Sequence, residues 1–189
     1  MPEIALRFAG VGKSYGRTHA LRDVSFDVAP GEFFALVGVN GAGKTTLLKC
    51  LLDFCAPDRG SIGIFGAPHQ STGARGRLAF LPERFTPPYY LTGEDFIRYV
   101  LAMHAAPYDW SGALNMLREF DLDGAALQLP ARVYSKGMTQ KLGLAACLLA
   151  RKDLYILDEP AGGLDPKARA LLKAQLGRLR HEARTVFFT

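Results

Sequence analysis

Two early stretches, Ile4 to Phe8 and Leu21 to Val28, alternate apolar and polar residues, the period of strands with one buried face. Gly10, Gly12 and Gly16 lie between them and predict a glycine-rich turn joining an antiparallel pair. After Pro30-Gly31 the pattern changes. Phe33 to Val37 is an uninterrupted apolar run, as a strand buried on both faces of a parallel sheet requires, and a helix is predicted from Lys44 to Leu52. Pro57-Asp58-Arg59-Gly60 has the chemistry of a turn, with short strands predicted at Ser61 to Phe65 and Leu78 to Leu81.

The middle of the chain switches to helical spacing. After Thr92, a cap by residue type, Phe96, Ile97, Val100, Leu101 and Met103 recur on one helical face, and Leu114, Leu117 and Phe120 repeat the pattern. A helix from Met138 to Ala150, a buried strand from Leu154 to Leu157, a helix from Lys167 to Glu182 and a strand at Thr185 to Phe188 then restore α/β alternation. The expected fold is α/β, with a mostly parallel core sheet, an N-terminal antiparallel β subdomain and an inserted α-helical subdomain. Residues 1–189 form one domain in this reading: 1–83 and 152–189 make the core with its β subdomain, and about 84–151 make the helical insertion. The sequence stops inside a predicted core strand, at Val186-Phe187-Phe188-Thr189, where a natural terminus would leave groups without partners; this predicts a piece of a longer protein.

Composition adds little beyond support. With 189 residues and 49% apolar content the chain can bury one substantial core. No apolar run approaches the roughly 18 residues of a membrane span, and the acidic start MPEIALRF is unlike a secretory leader. Cys50, Cys55 and Cys147 have neither disulfide-framework nor zinc spacing, which points to a reducing cytoplasm. The net charge of +5 is spread along the chain. Lys167, Arg169, Lys173, Arg178, Arg180 and Arg184 interleave with Ala and Leu, as on a helix with one solvated face.

The chemistry sits in two places. Gly38 to Thr45, GVNGAGKT, fits GxxxxGK[ST] between a buried strand and a helix, so that backbone N–H groups and the helix dipole converge on a phosphate. Lys44 pairs with the β- and γ-phosphates in this reading, and the Thr45 hydroxyl coordinates Mg²⁺. LYILDEP, Leu154 to Pro160, puts two acids at the carboxyl end of another buried strand, where ligands of open α/β sheets gather. Asp158 is expected in the Mg²⁺ shell and Glu159 as the general base toward the attacking water.

Together with YSKGMTQK at Tyr134 to Lys141 and AGGLD at Ala161 to Asp165, these motifs resemble the nucleotide-binding cassette of ABC transporters, from about Ile4 to the last residue. The resemblance implies a P-loop NTPase that binds ATP with Mg²⁺ through Gly38, Asn40, Gly41, Ala42, Gly43, Lys44, Thr45 and Thr46, with Tyr15 stacking on adenine. It implies that Ser135 and Gly137 cap the γ-phosphate held by a second copy, that Asp165 links the two sites, and that hydrolysis needs this homodimer. Lys44 and Glu159 are its catalytic residues, joined by Glu83, which stands where the family usually has a glutamine sensing Mg²⁺ and water. The implied partner is a separate integral membrane permease, which would hold the cassette peripherally on the cytoplasmic face of the cell membrane.

Departures refine the expectation. Glu83 changes the charge at its position, and Lys136 adds a cation to the signature segment; the LPE and SKGM variants resemble cassettes of bacterial exporters. The family's switch histidine has no counterpart here, since His181 falls too early and is expected on a helix face. An alternative is a soluble ABC-type ATPase acting on nucleic acid or ribosomes; such proteins commonly carry tandem cassettes, zinc modules or coiled coils, and this sequence shows one cassette, no metal spacing and no heptad run, so no nucleic acid is expected. A GTPase or small-molecule kinase shares only the phosphate loop.

Overall fold

The computed structural model describes residues 4–189; Glu3, the acid on which the leader argument leaned, lies outside them. Strands β1 (Leu6–Tyr15) and β2 (Thr18–Val28) form a hairpin paired from Leu6 and Val28 to Tyr15 and Thr18. The turn is therefore only Gly16-Arg17. Gly10, expected in the turn, instead lies inside β1 at φ +63°, where the pairing register slips between Phe8 and Val11, as at a β-bulge. Gly12 also lies within β1, paired with Arg59 of the neighbouring strand, whose Nε would lie 2.5 Å from a Cβ there. The hairpin is extended by β4 (Arg59–Ile64) and β5 (Ala67–Pro68), in the order β2-β1-β4-β5.

The second sheet is parallel, in the order β3-β8-β7-β6, built from β3 (Phe33–Ala35), β6 (Leu78–Leu81), β7 (Leu154–Leu157) and β8 (Thr185–Phe188). The final strand is paired on both edges, by β3 and β7. The expectation for Phe33 to Val37 needs correction. β3 has three residues, lies at the sheet edge with Phe33 and Phe34 only half-buried, and is followed by a Val37 that is 88% exposed. An apolar run predicts a strand, but burial on both faces depends on neighbours the run does not specify.

Strand β7 does bury both faces, and it divides the molecule. Leu154 and Ile156 face one core with β1, β4 and helix α1 (Lys44–Leu51). Tyr155 and Leu157 face another, the alternation a pleated strand imposes. Rings from both sheets join on the first side: Phe26 lies 4.5 Å from Phe8 and 4.9 Å from Phe34, which stacks on Phe187 at 5.4 Å.

Between β6 and β7 lie α3 (Gly93–Met103), α4 (Trp110–Glu119) and α5 (Lys136–Leu149), with α6 (Pro166–His181) after β7; the short α2 (Thr72–Arg75) precedes β6. Thr92 and Asp95 form a reciprocal capping box on α3, which satisfies two otherwise unpaired N–H groups. Met103, placed on the apolar face by spacing, ends α3 exposed. His181 is the last residue of α6 and is exposed. Three of the cations of this region are engaged in ion pairs: Lys167 with Asp121 at 2.8 Å, Arg178 with Glu119 and Arg184 with Asp153 at 3.0 Å.

Candidate functional site: a phosphate cavity and its flanks

The phosphate loop leaves β3 and opens α1. Gly43, the residue before the helix, has φ +96°, and Gly41 has φ +84°, a region glycine enters without steric cost. A Cβ on Gly43 would lie 2.4 Å from the Ala20 carbonyl oxygen, so the loop can sit against β2 only with glycine there. No side chain caps α1 and no acid occupies its first turn. Its leading N–H groups and the positive end of the dipole therefore face outward, ready for an anion. The Lys44 ammonium is folded into the loop, donating to the carbonyls of Gly38 at 2.6 Å and Val39 at 3.3 Å.

The second motif arrives at the end of β7. The Asp158 N–H donates to Leu81 O at 2.9 Å, drawing the ends of β6 and β7 together. The buried Asp158 carboxylate accepts the Thr189 hydroxyl at 2.7 Å, and the same Thr189 oxygen accepts the Glu159 N–H at 3.1 Å. Glu159 has φ +45°, uncommon for a residue with a Cβ. The turn that strains it leaves its side chain exposed at the cavity wall.

A cavity of about 530 Å³ brings these parts together: Asn40, Gly41, Ala42, Gly43, Lys44, Thr45 and Thr46 from the loop, with Glu83, Asp158 and Glu159. Gly38 stays outside this lining but anchors Lys44. Sequence reasoning missed Thr18, His19 and Ala20, which complete the wall, and Thr189. Their only trace in the sequence is the glycine at 43, whose need for room implies a close neighbour without naming it.

Tyr15 stands beside this cavity, at the end of β1, 49% exposed. Its hydroxyl lies 3.6 Å from Cys55 Sγ, and this hydrogen bond, followed by burial, raises the phenol above its ordinary pKa. The hairpin end is tied down by Asp58, which accepts the Lys13 ammonium at 2.8 Å and the Ser14 N–H at 2.7 Å. Those two bonds hold the Asp58 carboxyl below the usual carboxylate range, that of Lys13 being the larger.

The signature residues lie elsewhere. Ser135 caps α5, its Oγ accepting the Met138 N–H at 3.2 Å. Asp165 caps α6, accepting the Ala168 N–H at 2.7 Å ahead of Pro166. This is a cap followed by a proline at the first helical position, one residue ahead of the Lys167 start expected from the sequence. Gly137 approaches the loop at Gly163, and Gln140, also missed, donates to Pro160 O at 3.2 Å. None of Ser135, Gly137 and Asp165 lines the phosphate cavity. A second cavity of about 690 Å³ is walled by Arg84, Tyr89, Arg132, Tyr134 and Lys136, and it shares Glu83 and Glu159 with the first.

A phosphate loop at the mouth of a parallel sheet, with two acids across from it and an antiparallel sheet alongside, defines a P-loop nucleotide-binding domain. The family described as ABC transporter matches residues 21–162. The Nod factor export ATP-binding protein I of Paraburkholderia xenovorans (strain LB400) is 36% identical over 192 residues, covering 100% of this chain and 63% of that protein. The protein of the same name from Burkholderia thailandensis is 35% identical over 185 residues, covering 96% of this chain and 61% of its own length. A solved structure described as the ATP binding subunit of an ABC transporter superposes with TM-score 0.88 at 33% identity, over 98% of this chain and 79% of that one. The chain belongs to the ABC transporter family and is built as its ATP-binding cassette. It spans about 63% of the length of the first of these relatives.

Proposed function

We propose that this chain is the ATP-binding and ATP-hydrolysing part of an ABC transporter that drives export through a separate membrane permease. The observation that carries the reading is the convergence of the uncapped start of α1, Lys44, Asp158 and Glu159 on one cavity. The N–H groups and Lys44 hold the phosphates, for which Lys44 must leave the loop carbonyls. Glu159 takes the proton of the attacking water, and Thr189 orients the turn from which both acids project.

The residues fit Mg²⁺. Thr45, Glu83 and Asp158 bring a hydroxyl and two carboxylates to the cavity. Among the described residues there is no cluster of three or more His, Cys, Asp or Glu ligands, and Mg²⁺ needs none, being held through one or two carboxylates with phosphate and water. When bound, the ion would supply positive charge to neutralise the phosphates.

Tyr15, exposed beside the cavity, offers its ring to adenine. Ser135 keeps a hydroxyl proton to donate while its oxygen caps α5, so it and Gly137 can serve a nucleotide on a second copy, with Asp165 beside them. In this reading residues 84–151 form a helical subdomain inserted in the core. Among the described residues no helix is long and apolar enough to cross a membrane; a permease on another chain would hold the protein at the cytoplasmic face, docking at the second cavity. The names of the similar proteins support export. The ion pairs of Lys167, Arg178 and Arg184 support this reading over one on nucleic acid.

The test is the Glu159→Gln protein at saturating MgATP. Loss of a general base lowers turnover by roughly 10²- to 10⁴-fold, and mass photometry should then find a dimer that reverts to monomer without nucleotide. A protein that stays monomeric at saturating ATP overturns the reading of Ser135 and Gly137 as partners of a nucleotide on a second copy.

A further inference from the structure

Helix α1 ends by reversing sharply. Asp53 takes φ +62°, its N–H donates to Cys50 O at 3.2 Å, and the Phe54 N–H donates back to Lys49 O at 2.8 Å. This is the Schellman arrangement, which satisfies the last helical carbonyls and folds the next residues onto the helix. Here it carries Cys55 back onto the last turn, where its sulfur lies 3.6 Å from that of Cys50. Both thiols are free, Cys50 wholly buried and Cys55 partly accessible. Cys55 also meets the hydroxyl of Tyr15, so the pair joins the far end of the phosphate-loop helix to the exposed ring beside the cavity.

We propose that Cys50 and Cys55 form a reversible oxidative modification site that responds to peroxide and loosens nucleotide binding. The second half of this statement rests on the ATP-binding reading above; the first does not. The accessible Cys55 thiolate attacks one oxygen of hydrogen peroxide, the O–O bond breaks, and hydroxide leaves and is protonated to water, giving a sulfenic acid. The Cys50 sulfur then attacks the Cys55 sulfur. The S–O bond breaks as the S–S bond forms, and the departing hydroxide takes the Cys50 proton as a second water. Both sulfurs are oxidised and the peroxide is reduced.

The order follows from surroundings. Burial pushes the Cys50 thiol up to about 12, and its hydrogen bond with Cys55 adds to the rise, so Cys50 is the poor first nucleophile. The Cys55 thiolate's share of that rise ends once Cys55 is oxidised. A disulfide draws the sulfurs from contact to about 2.05 Å. Cys55 can then no longer donate to the Tyr15 hydroxyl and is pulled toward α1, which loosens the tie that holds the ring.

The experiment treats the protein with hydrogen peroxide, alkylates it and digests it with trypsin. The expected product is the peptide Cys50 to Arg59, unalkylated and two hydrogens lighter; Cys55 over-oxidised, or both thiols alkylated, overturns the site. The Cys50→Ala protein should instead hold Cys55 as a sulfenic acid captured by dimedone. In parallel, the affinity of the oxidised protein for trinitrophenyl-ATP should fall about fivefold, as loss of part of a base-stacking contact would give. The affinity should return with dithiothreitol, and the Cys55→Ser protein should show no peroxide response. A disulfide that leaves affinity unchanged overturns the tie to nucleotide. If the reduced protein fails to bind the probe, the ATP-binding reading fails instead, and the peptide result still decides the thiol pair.

Discussion

Helices α1 and α5 both begin at a motif, yet their first turns are finished differently. α1 starts at Gly43 with no side-chain cap, whereas α5 starts at Ser135, whose own oxygen satisfies the Met138 N–H. The first end is incomplete as it stands and is built for an anion on the same chain. The second is capped at one N–H by its own residue, which leaves the Ser135 hydroxyl proton and Gly137 to face outward. The motif that looks weaker as a binding site is therefore the stronger structural element.

The sharpest way to break this comparison is Gly43→Ala. The substitution meets Ala20 O and must hold a left-handed φ. MgATP affinity by calorimetry should fall by roughly a hundredfold, equivalent to about 2.7 kcal/mol. An unchanged affinity would show that the open helix end is not the binding element. Thr189→Val comes next. It removes the hydroxyl that serves both Asp158 and Glu159, and phosphate release should slow about tenfold, the worth of one hydrogen bond to a charged group, with binding retained.

Ser135→Ala has a smaller effect of the opposite kind. Loss of the cap costs about 1 kcal/mol, a fall of about 2–4 °C in the thermal midpoint for a chain of this size, while nucleotide affinity of the monomer holds. If that affinity drops as well, the two helix ends are not separate. The smallest effect concerns pH. The Asp58 carboxyl is held below its ordinary value, so the tie to Lys13 and Ser14 is complete above that ordinary value and is lost only as pH falls through the lowered one. Nucleotide affinity should not change on this account from about pH 8 to about pH 5. A decline in that window that Asp58→Asn abolishes would contradict the assignment.

What could be read in the sequence was local. The phosphate loop, the acids after β7 and the cap at Thr92 are each written in a few consecutive residues, because backbone conformation and capping are settled within a turn of chain. Thr18, His19, Ala20, Gln140 and Thr189 were invisible for the converse reason, since each reaches the site through pairing with a distant segment. Gly10 misled because a glycine at positive φ serves a bulge as well as a turn. The edge position of β3 was hidden because an apolar run does not name its neighbours.

Glu83 and Glu159 form a wall common to both cavities. Whatever occupies the larger one meets the same two carboxylates that wall the smaller. Thermodynamic reciprocity then fixes the exchange: an occupant that tightens nucleotide about tenfold, about 1.4 kcal/mol, must itself be held about tenfold more tightly when nucleotide is present.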